Sequence, residues 1–149
     1  VAAEHAMAFI EGVQSGGVVA TVKHFALNDQ EWDRTRVESR ASERARHELY
    51  YRPFHAAVTR AKVGAVMTSY NLVDGEFATH QPGLLRKLLR EEWGFEGLVM
   101  SDWYAAHDTR GAFEGGLDLE MPKALFLTKE KLLPLLESGE LREADLDEK

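Results

Sequence analysis

Apolar residues along this chain recur at two alternating spacings, one typical of helices and one typical of buried strands. The first predicted helix covers residues 2–15, and its apolar face consists of Ala3, Ala6, Phe9, Ile10 and Val13. Gly16-Gly17 ends this helix. The unbroken apolar, β-branched run at 18–22 then predicts a buried strand, which leads into Lys23 and His24.

The alternation continues after a polar loop at 28–39. Ser42 is predicted to cap a helix whose first turn carries Glu43. Pro53 should kink or restart that helix. Residues 63–70 predict a second strand, and Asp74-Gly75 predicts a turn beyond it.

The remainder of the chain repeats the pattern. Pro82 opens a helix whose apolar stripe is Leu84, Leu85, Leu88 and Leu89. Gly94 ends this helix, and residues 98–101 predict a third strand. Residues 116–121 are a weaker strand candidate, and 129–138 a helix in which Pro134 is expected to mark a kink or a boundary. The highly charged residues 140–149 are expected to fray.

Strands that alternate with helices predict right-handed βαβ units and a parallel sheet, hence an α/β fold. Glycine-rich phosphate-binding motifs do not follow the strands, so a dinucleotide or P-loop domain is not expected. Polar residues at successive strand ends suit a (β/α)8 TIM-like barrel. Since a complete barrel needs about 250 residues, the 149 residues predict either its carboxyl-terminal half or a small doubly wound sheet.

Composition narrows the class of protein without naming a function. Hydrophobic residues make up 44% of the chain and charged residues 29%, as in ordinary globular proteins. A net charge of -7 argues against a nucleic-acid or anionic-membrane partner. Without cysteine the chain has no disulfides or thiolate metal sites. We recognise neither a membrane span nor a signal peptide, and the compartment is not readable from the sequence.

The segment 98–103 carries the strongest chemical signal, because an apolar strand ends there in Ser101, Asp102 and Trp103. Parallel α/β folds place their chemistry at the carboxyl ends of strands. A carboxylate beside an indole suits a sugar-cleaving site, since the acid supplies charge or a nucleophile and the indole a surface on which a sugar ring stacks. The alternative is an Asp that caps the following helix and a Trp that packs.

Four motifs in order resemble glycoside hydrolase family 3, the β-glucosidase-type enzymes. The first, at 21–34, reads TVKHFALNDQE with a following arginine, and the second, at 66–75, reads VMTSYN with Asp-Gly. The third, at 89–103, reads LREEWGFxGLVMSDW, and the fourth, at 116–122, reads GLDLEMP. The resemblance covers most of the chain, from about Phe9 to Leu146. It implies a single partial (β/α)8 glycosidase barrel over 1–149, with an earlier barrel segment and an α/β sandwich domain absent from this sequence.

The resemblance also implies site residues. Asp102 matches the catalytic nucleophile of the family, and Lys23 and His24 match the pair that hydrogen-bonds hydroxyls of the bound glycosyl unit. Arg34 and Tyr70 match further groups of that subsite. Lys23 and Arg34 would favour the ionised form of Asp102, and Tyr70 would donate a hydrogen bond to it.

Two further positions complete the implied site. Met67 matches an apolar wall, and Trp103 matches an aromatic residue at the mouth, where the leaving-group sugar stacks. The acid/base Glu of the β-glucosidase branch comes from the second domain, so we do not assign that role to Glu31 or Glu120. The loop after Phe25 lacks the Pro-Gly-His-Gly motif of the N-acetylglucosaminidase branch, which favours a β-glucosidase or β-xylosidase.

The resulting hypothesis is a retaining exo-acting β-glycosidase that acts on terminal β-D-glucosyl units through a glycosyl-aspartate intermediate. Its partners would be a carbohydrate substrate and the remainder of the barrel with the second domain. We expect no cofactor. We also expect no metal, because the histidines lack ligand spacing.

Three alternatives stay open. They are a β-xylosidase of the same family, a Schiff-base aldolase with Lys23 as nucleophile, and a carbohydrate-binding fragment without turnover. On its own, the Lys23-His24 pair is more typical of strand-end solvation than of a site. We expect the isolated 149 residues to be inactive, and to be poorly stable or to aggregate unless the missing segments are supplied. Trp93 is expected to pack in the core, and Asp118 and Glu120 to hold loops.

Overall fold

A computed structural model of the chain describes residues 1–147 and 149. Its main sheet has the order β1-β2-β5, formed by Thr21–Phe25, Ala65–Thr68 and Leu98–Met100. Both pairings are parallel, with Val66 opposite Val22 on one side and Val99 on the other. The prediction of a parallel α/β sheet is therefore confirmed.

Helices and a hairpin connect the strands. The α-helices are α1 (Ala2–Ser15), α2 (Glu43–Ala45), α3 (Arg52–Thr59), α4 (Thr109–Gly115), α5 (Lys129–Glu137) and α6 (Glu143–Asp147). A π-type segment, Arg46–Tyr50, follows α2. A second π-type helix, Gly83–Glu92, is called the leucine helix below. Strands β3 (Leu72–Val73) and β4 (Glu76–Phe77) form an antiparallel hairpin.

Local sequence signals act where they were predicted to act. The Ser42 hydroxyl accepts a hydrogen bond from the Ala45 amide and so caps α2. Pro53 lies in the first turn of α3, where its missing N–H costs nothing. Asp74 and Gly75 both have positive φ angles, as a tight hairpin turn requires.

The core lies between the sheet and the helices on one of its faces. Val66 and Val99 are fully buried there, as are Leu85 and Leu89 of the leucine helix. Phe25 is also fully buried, and its ring packs against Trp93 at a centroid distance of 5.7 Å. Each of these side chains gains about 1.5–3 kcal/mol from leaving water.

The opposite face of the sheet is open. Met67 and Met100 lie opposite each other in the ladder and are only half-buried, while Leu98 is 37% exposed. Because side chains alternate across a strand, these residues share the face that points away from the helices. In a closed barrel that face would be the interior.

Two predictions about apolar positions are wrong. Val18 and Val19 are 60% and 67% exposed and precede the strand, which begins at Thr21. Phe9 is 73% exposed, whereas α1 buries Met7 and Ile10. The stripe of α1 that packs on α3 follows the helical period through these two residues, and Phe9 lies outside it.

The carboxyl-terminal third also differs in detail from the predictions. Residues 116–121 make only one parallel bridge, between Leu119 and Met100. Pro134 lies inside α5 and does not end it. Residues 143–147 form α6, not a frayed end, and residue 148 of the segment predicted to fray lies outside the described residues.

Among the described residues, none of the helices combines the length and the hydropathy that a membrane crossing needs.

Candidate active site

Polar side chains meet at the carboxyl edge of the sheet. His24 lies near the end of β1, Tyr70 follows β2 and Asp102 follows β5. The three strands are parallel neighbours, so their ends converge although the residues are far apart in sequence. The peptide bonds Lys23–His24 and Phe25–Ala26 are cis, and the ladder is irregular between Val22 and Phe25.

Asp102 is the centre of this cluster. Its Oδ1 accepts hydrogen bonds from the Tyr70 hydroxyl at 3.1 Å and from the Trp103 amide at 2.7 Å. Its Oδ2 lies 3.3 Å from Nε2 of His24. The side chain keeps 14% of its surface exposed, so the carboxylate is oriented by its partners and still reachable from solvent.

The two neighbours of Asp102 favour their neutral forms. Burial lowers the pKa of His24, and this outweighs the opposing effect of the Asp102 charge. Burial also raises the pKa of Tyr70, and the Asp102 charge raises it further. Neutral His24 can donate from Nε2, and protonated Tyr70 can donate from its hydroxyl. Tyr70 serves as a donor to Oδ1 of Asp102, and Nε2 of His24 lies beside Oδ2.

Arg34 joins the cluster from the polar loop after β1. Its guanidinium lies over the Tyr70 ring at 4.6 Å from the centroid, and Nη1 pairs with the Glu31 carboxylate at 2.8 Å. The i,i+3 spacing of Glu31 and Arg34 is a signal from which this ion pair could have been predicted. Glu31 therefore supports Arg34 within the polar loop.

The remaining predicted residues surround this cluster. Lys23 is exposed, and its charge contributes to lowering the pKa of His24. Met67, on β2, lies on the open face of the sheet. Trp103 is 59% exposed, and its backbone carbonyl accepts a second hydrogen bond from the Tyr70 hydroxyl at 2.9 Å. The exposed indole leaves a flat surface next to Asp102.

Asp118 and Glu120 hold the structure beneath the site, which confirms the structural role predicted for them. Oδ2 of Asp118 accepts from Arg90 at 2.6 Å and from the Val99 amide at 2.7 Å, which links the leucine helix to β5. Glu120 is buried and accepts from the amides of Phe126 and Leu127.

Sequence reasoning missed the side chains that fix the strand ends. The hydroxyl of Ser69 and the amide of Asn71 both donate to the Ala26 carbonyl. The Ser101 hydroxyl accepts from the Met121 amide. These residues lie within the quoted motifs, but spacing alone gives no indication of which backbone group each one meets.

Comparison with known proteins decides the family. The family model of the glycosyl hydrolase family 3 N terminal domain matches residues 1–149. This chain belongs to glycosyl hydrolase family 3. A β-glucosidase of Rhizobium radiobacter is 47% identical over 92% of the chain, and the probable β-glucosidase J of Emericella nidulans is 44% identical over 97%.

Solved family 3 structures agree with the fold. β-Glucosidase 3B from Thermotoga neapolitana, solved with glycerol, superposes with a TM-score of 0.92 at 43% identity and covers 98% of the chain. Its complex with glucose gives the same TM-score and identity. The α/β fold is part of the family's TIM barrel, as the sequence predicted. The chain spans 17% of the two curated relatives and about a fifth of the solved chains.

Proposed function

We propose that the protein containing this chain is a retaining exo-acting β-glycosidase in which Asp102 is the nucleophile. The observation that carries the proposal is the oriented, solvent-accessible carboxylate, with two hydrogen-bond donors on Oδ1 and the His24 imidazole 3.3 Å from Oδ2. Relatives that match nearly the whole chain are named β-glucosidases, which supports terminal β-D-glucosyl units as substrate.

In the proposed reaction, an Asp102 oxygen attacks the anomeric carbon and the glycosidic bond to the leaving group breaks. A second carboxyl group about 5–5.5 Å away protonates the leaving oxygen and later activates the water that hydrolyses the glycosyl-aspartate. The donors around Asp102 help only as far as their bonds strengthen in the transition state.

The acid/base carboxyl is proposed to come from the part of the protein outside this chain. Glu31 is paired with Arg34, and Glu120 is buried against two backbone amides. A group already engaged in this way is poorly placed to exchange a proton with a leaving group. We therefore assign the role to neither of them.

Lys23, His24 and Arg34 are proposed to bind hydroxyls of the glycosyl unit, and Met67 to form an apolar wall beside it. Trp103 is proposed to stack on the leaving-group sugar, because its exposed face lies one residue from the nucleophile.

The identity of the sugar is the most specific part of the proposal. A relative named exo-α-(1→6)-L-arabinopyranosidase, from Bifidobacterium breve, is 43% identical over 98% of the chain. Its identity is similar to that of the β-glucosidases, so overall similarity does not select one sugar. A β-xylosidase is the second candidate, and parallel assays with aryl β-glucosides and β-xylosides separate the two.

The deciding experiment is mass spectrometry of the complete protein after incubation with a 2-deoxy-2-fluoro-β-glucoside. We expect a glycosyl adduct on the peptide that contains Asp102, and no adduct in Asp102→Asn. Asp33→Asn is the matched control, since Asp33 is an exposed loop carboxylate with a positive φ angle that Asn tolerates. It should label like the wild type.

Other outcomes separate the alternatives. Hydrolysis of aryl β-glycosides without an adduct on Asp102 would assign the nucleophile elsewhere. Borohydride trapping of a carbonyl substrate on Lys23 would indicate an aldolase. Calorimetric sugar binding without any turnover would indicate a binding protein.

A further inference from the structure

A second group of contacts holds the loop that follows the nucleophile. Residues 77–80, at the end of the β3–β4 hairpin, contact residues 105–108, which continue directly from Trp103. We call residues 103–108 the Trp103 loop. Its central residues Ala105 and Ala106 are buried, although Trp103 itself is mostly exposed.

His80 is the main side chain in this contact. It is 9% exposed, and its Nε2 accepts a hydrogen bond from the His107 amide at 3.1 Å. Its Nδ1 lies 3.3 Å from Oδ2 of Asp108. This pattern requires the neutral tautomer with hydrogen on Nδ1, because Nε2 needs its lone pair to accept. Burial lowers the pKa of His80, which favours that neutral form.

The contact extends from the loop into α4. Asp108 caps this helix by accepting from the Gly111 amide at 2.6 Å. A Cβ at Gly111 would lie 2.8 Å from Nδ1 of His80, and one at Gly115 would lie 2.5 Å from the His80 backbone carbonyl. The helix therefore passes so close to His80 that a Cβ at Gly115 would overlap its backbone, and a Cβ at Gly111 would displace the side chain of His80 or Asp108.

Two neighbours of His80 contact the same loop. The buried Thr79 hydroxyl donates to the Ala105 carbonyl at 2.8 Å. The Phe77 ring stacks on the ring of His107 with centroids 3.6 Å apart. On the other side of the loop, Tyr70 donates to the Trp103 carbonyl. The backbone of the loop is thus held at both ends, while Trp103 itself remains 59% exposed.

We infer that His80 is a positioning residue for the leaving-group subsite, which it maintains by fixing the Trp103 loop through the His107 amide. The inference rests on the proposed glycosidase function. A stacking surface binds a sugar well only if its position is fixed before the sugar arrives, since ordering it afterwards costs binding energy. His80 does not touch the nucleophile, which has its own donors in Tyr70 and the Trp103 amide and has His24 beside it.

The test compares two substrates of the complete protein. Cellobiose has a leaving-group sugar that can use Trp103, whereas β-D-glucosyl fluoride has none. The variants are His80→Asn, which keeps a donor near Nδ1 but loses the acceptor for His107, and His80→Gln, whose amide oxygen can reach the position of Nε2. His5→Gln, on the exposed side of α1, is the control.

We expect His80→Asn to raise KM for cellobiose about three- to ten-fold, the range that one lost neutral hydrogen bond allows. KM and kcat for glucosyl fluoride should stay within about two-fold of the wild type. His80→Gln should restore most of the cellobiose KM, and His5→Gln should behave like the wild type. A purely structural role would instead lower kcat equally for both substrates and leave both KM values unchanged.

The inference would be overturned if His80→Asn lowered kcat/KM equally for both substrates, or if it left KM for cellobiose unchanged. If His80→Asn does not fold, Thr79→Val and Thr79→Ser decide, because valine removes the other hydrogen bond to the loop and serine keeps it. If KM for cellobiose rises in Thr79→Val and not in Thr79→Ser, the role of the Trp103 loop in the leaving-group subsite is supported. Equal KM values in the two variants overturn it. If the wild type turns over neither substrate, the proposed function itself has failed and the inference falls with it.

Discussion

Removing one hydroxyl next to the nucleophile is the sharpest available perturbation of this site. Tyr70→Phe deletes the donor that lies 3.1 Å from Oδ1 of Asp102 and 2.9 Å from the Trp103 carbonyl. The ring remains, so the stacking of the Arg34 guanidinium on it at 4.6 Å is retained. The change therefore isolates the contribution of the hydroxyl.

The expected magnitude follows from the geometry. A hydrogen bond to a charged group contributes about 1.5–3 kcal/mol, and about 1.4 kcal/mol corresponds to a ten-fold change in rate. Asp102 keeps the Trp103 amide on the same oxygen and is 14% exposed, so water can replace part of what is lost. We therefore expect kcat/KM for aryl β-glucosides to fall about 10- to 30-fold, at the lower end of the range.

The assay is steady-state hydrolysis of an aryl β-glucoside by the complete protein, with thermal melts of each variant. Tyr104→Phe is the matched control, because Tyr104 is 55% exposed and its hydroxyl makes no hydrogen bond within the described residues. It should change kcat/KM by less than about two-fold. If Tyr70→Phe were as active as Tyr104→Phe, the view that Tyr70 orients the nucleophile would be refuted.

Three further predictions concern stability. Asp118→Asn should destabilise the protein by about 2–3 kcal/mol, because Arg90 and the Val99 amide lose a charged acceptor. An unchanged urea midpoint of unfolding would contradict this. Burial lowers the pKa of His80, so its imidazole becomes protonated at a higher pH in the unfolded chain than in the folded one. The stability contributed by neutral His80 is therefore complete above about pH 6.5 and declines as the pH falls towards the lower pKa of the folded state. His80→Gln should therefore narrow the difference in melting temperature between pH 7.5 and pH 5, and an unaltered difference would count against this reasoning. The isolated 149 residues should aggregate, because the open face of the sheet exposes apolar side chains such as Leu98, and a sharp cooperative melt of a purified monomer would show otherwise.

Local signals in the sequence determined the order and type of most elements. The leucine stripe of the helix at 83–92, the Ser42 cap and the Asp74-Gly75 turn all depend on residues within a few positions of one another. Such interactions are nearly independent of the rest of the fold, so periodicity and turn chemistry predict them. Asp102 was recognisable for the same reason, as the carboxylate that ends an apolar strand.

Only the tertiary structure decided which of these groups meet. The sheet order brings His24 and Tyr70 to Asp102 across separations of 78 and 32 residues, and no local pattern specifies such contacts. The packing of helices on the sheet likewise decided which apolar side chains are buried. Phe9 and Val19 are apolar yet exposed, because no helix or strand of the described chain covers them. His80 shows the same limit: its sequence neighbours indicated no role, and its two nitrogens acquire partners only because the hairpin packs on the Trp103 loop.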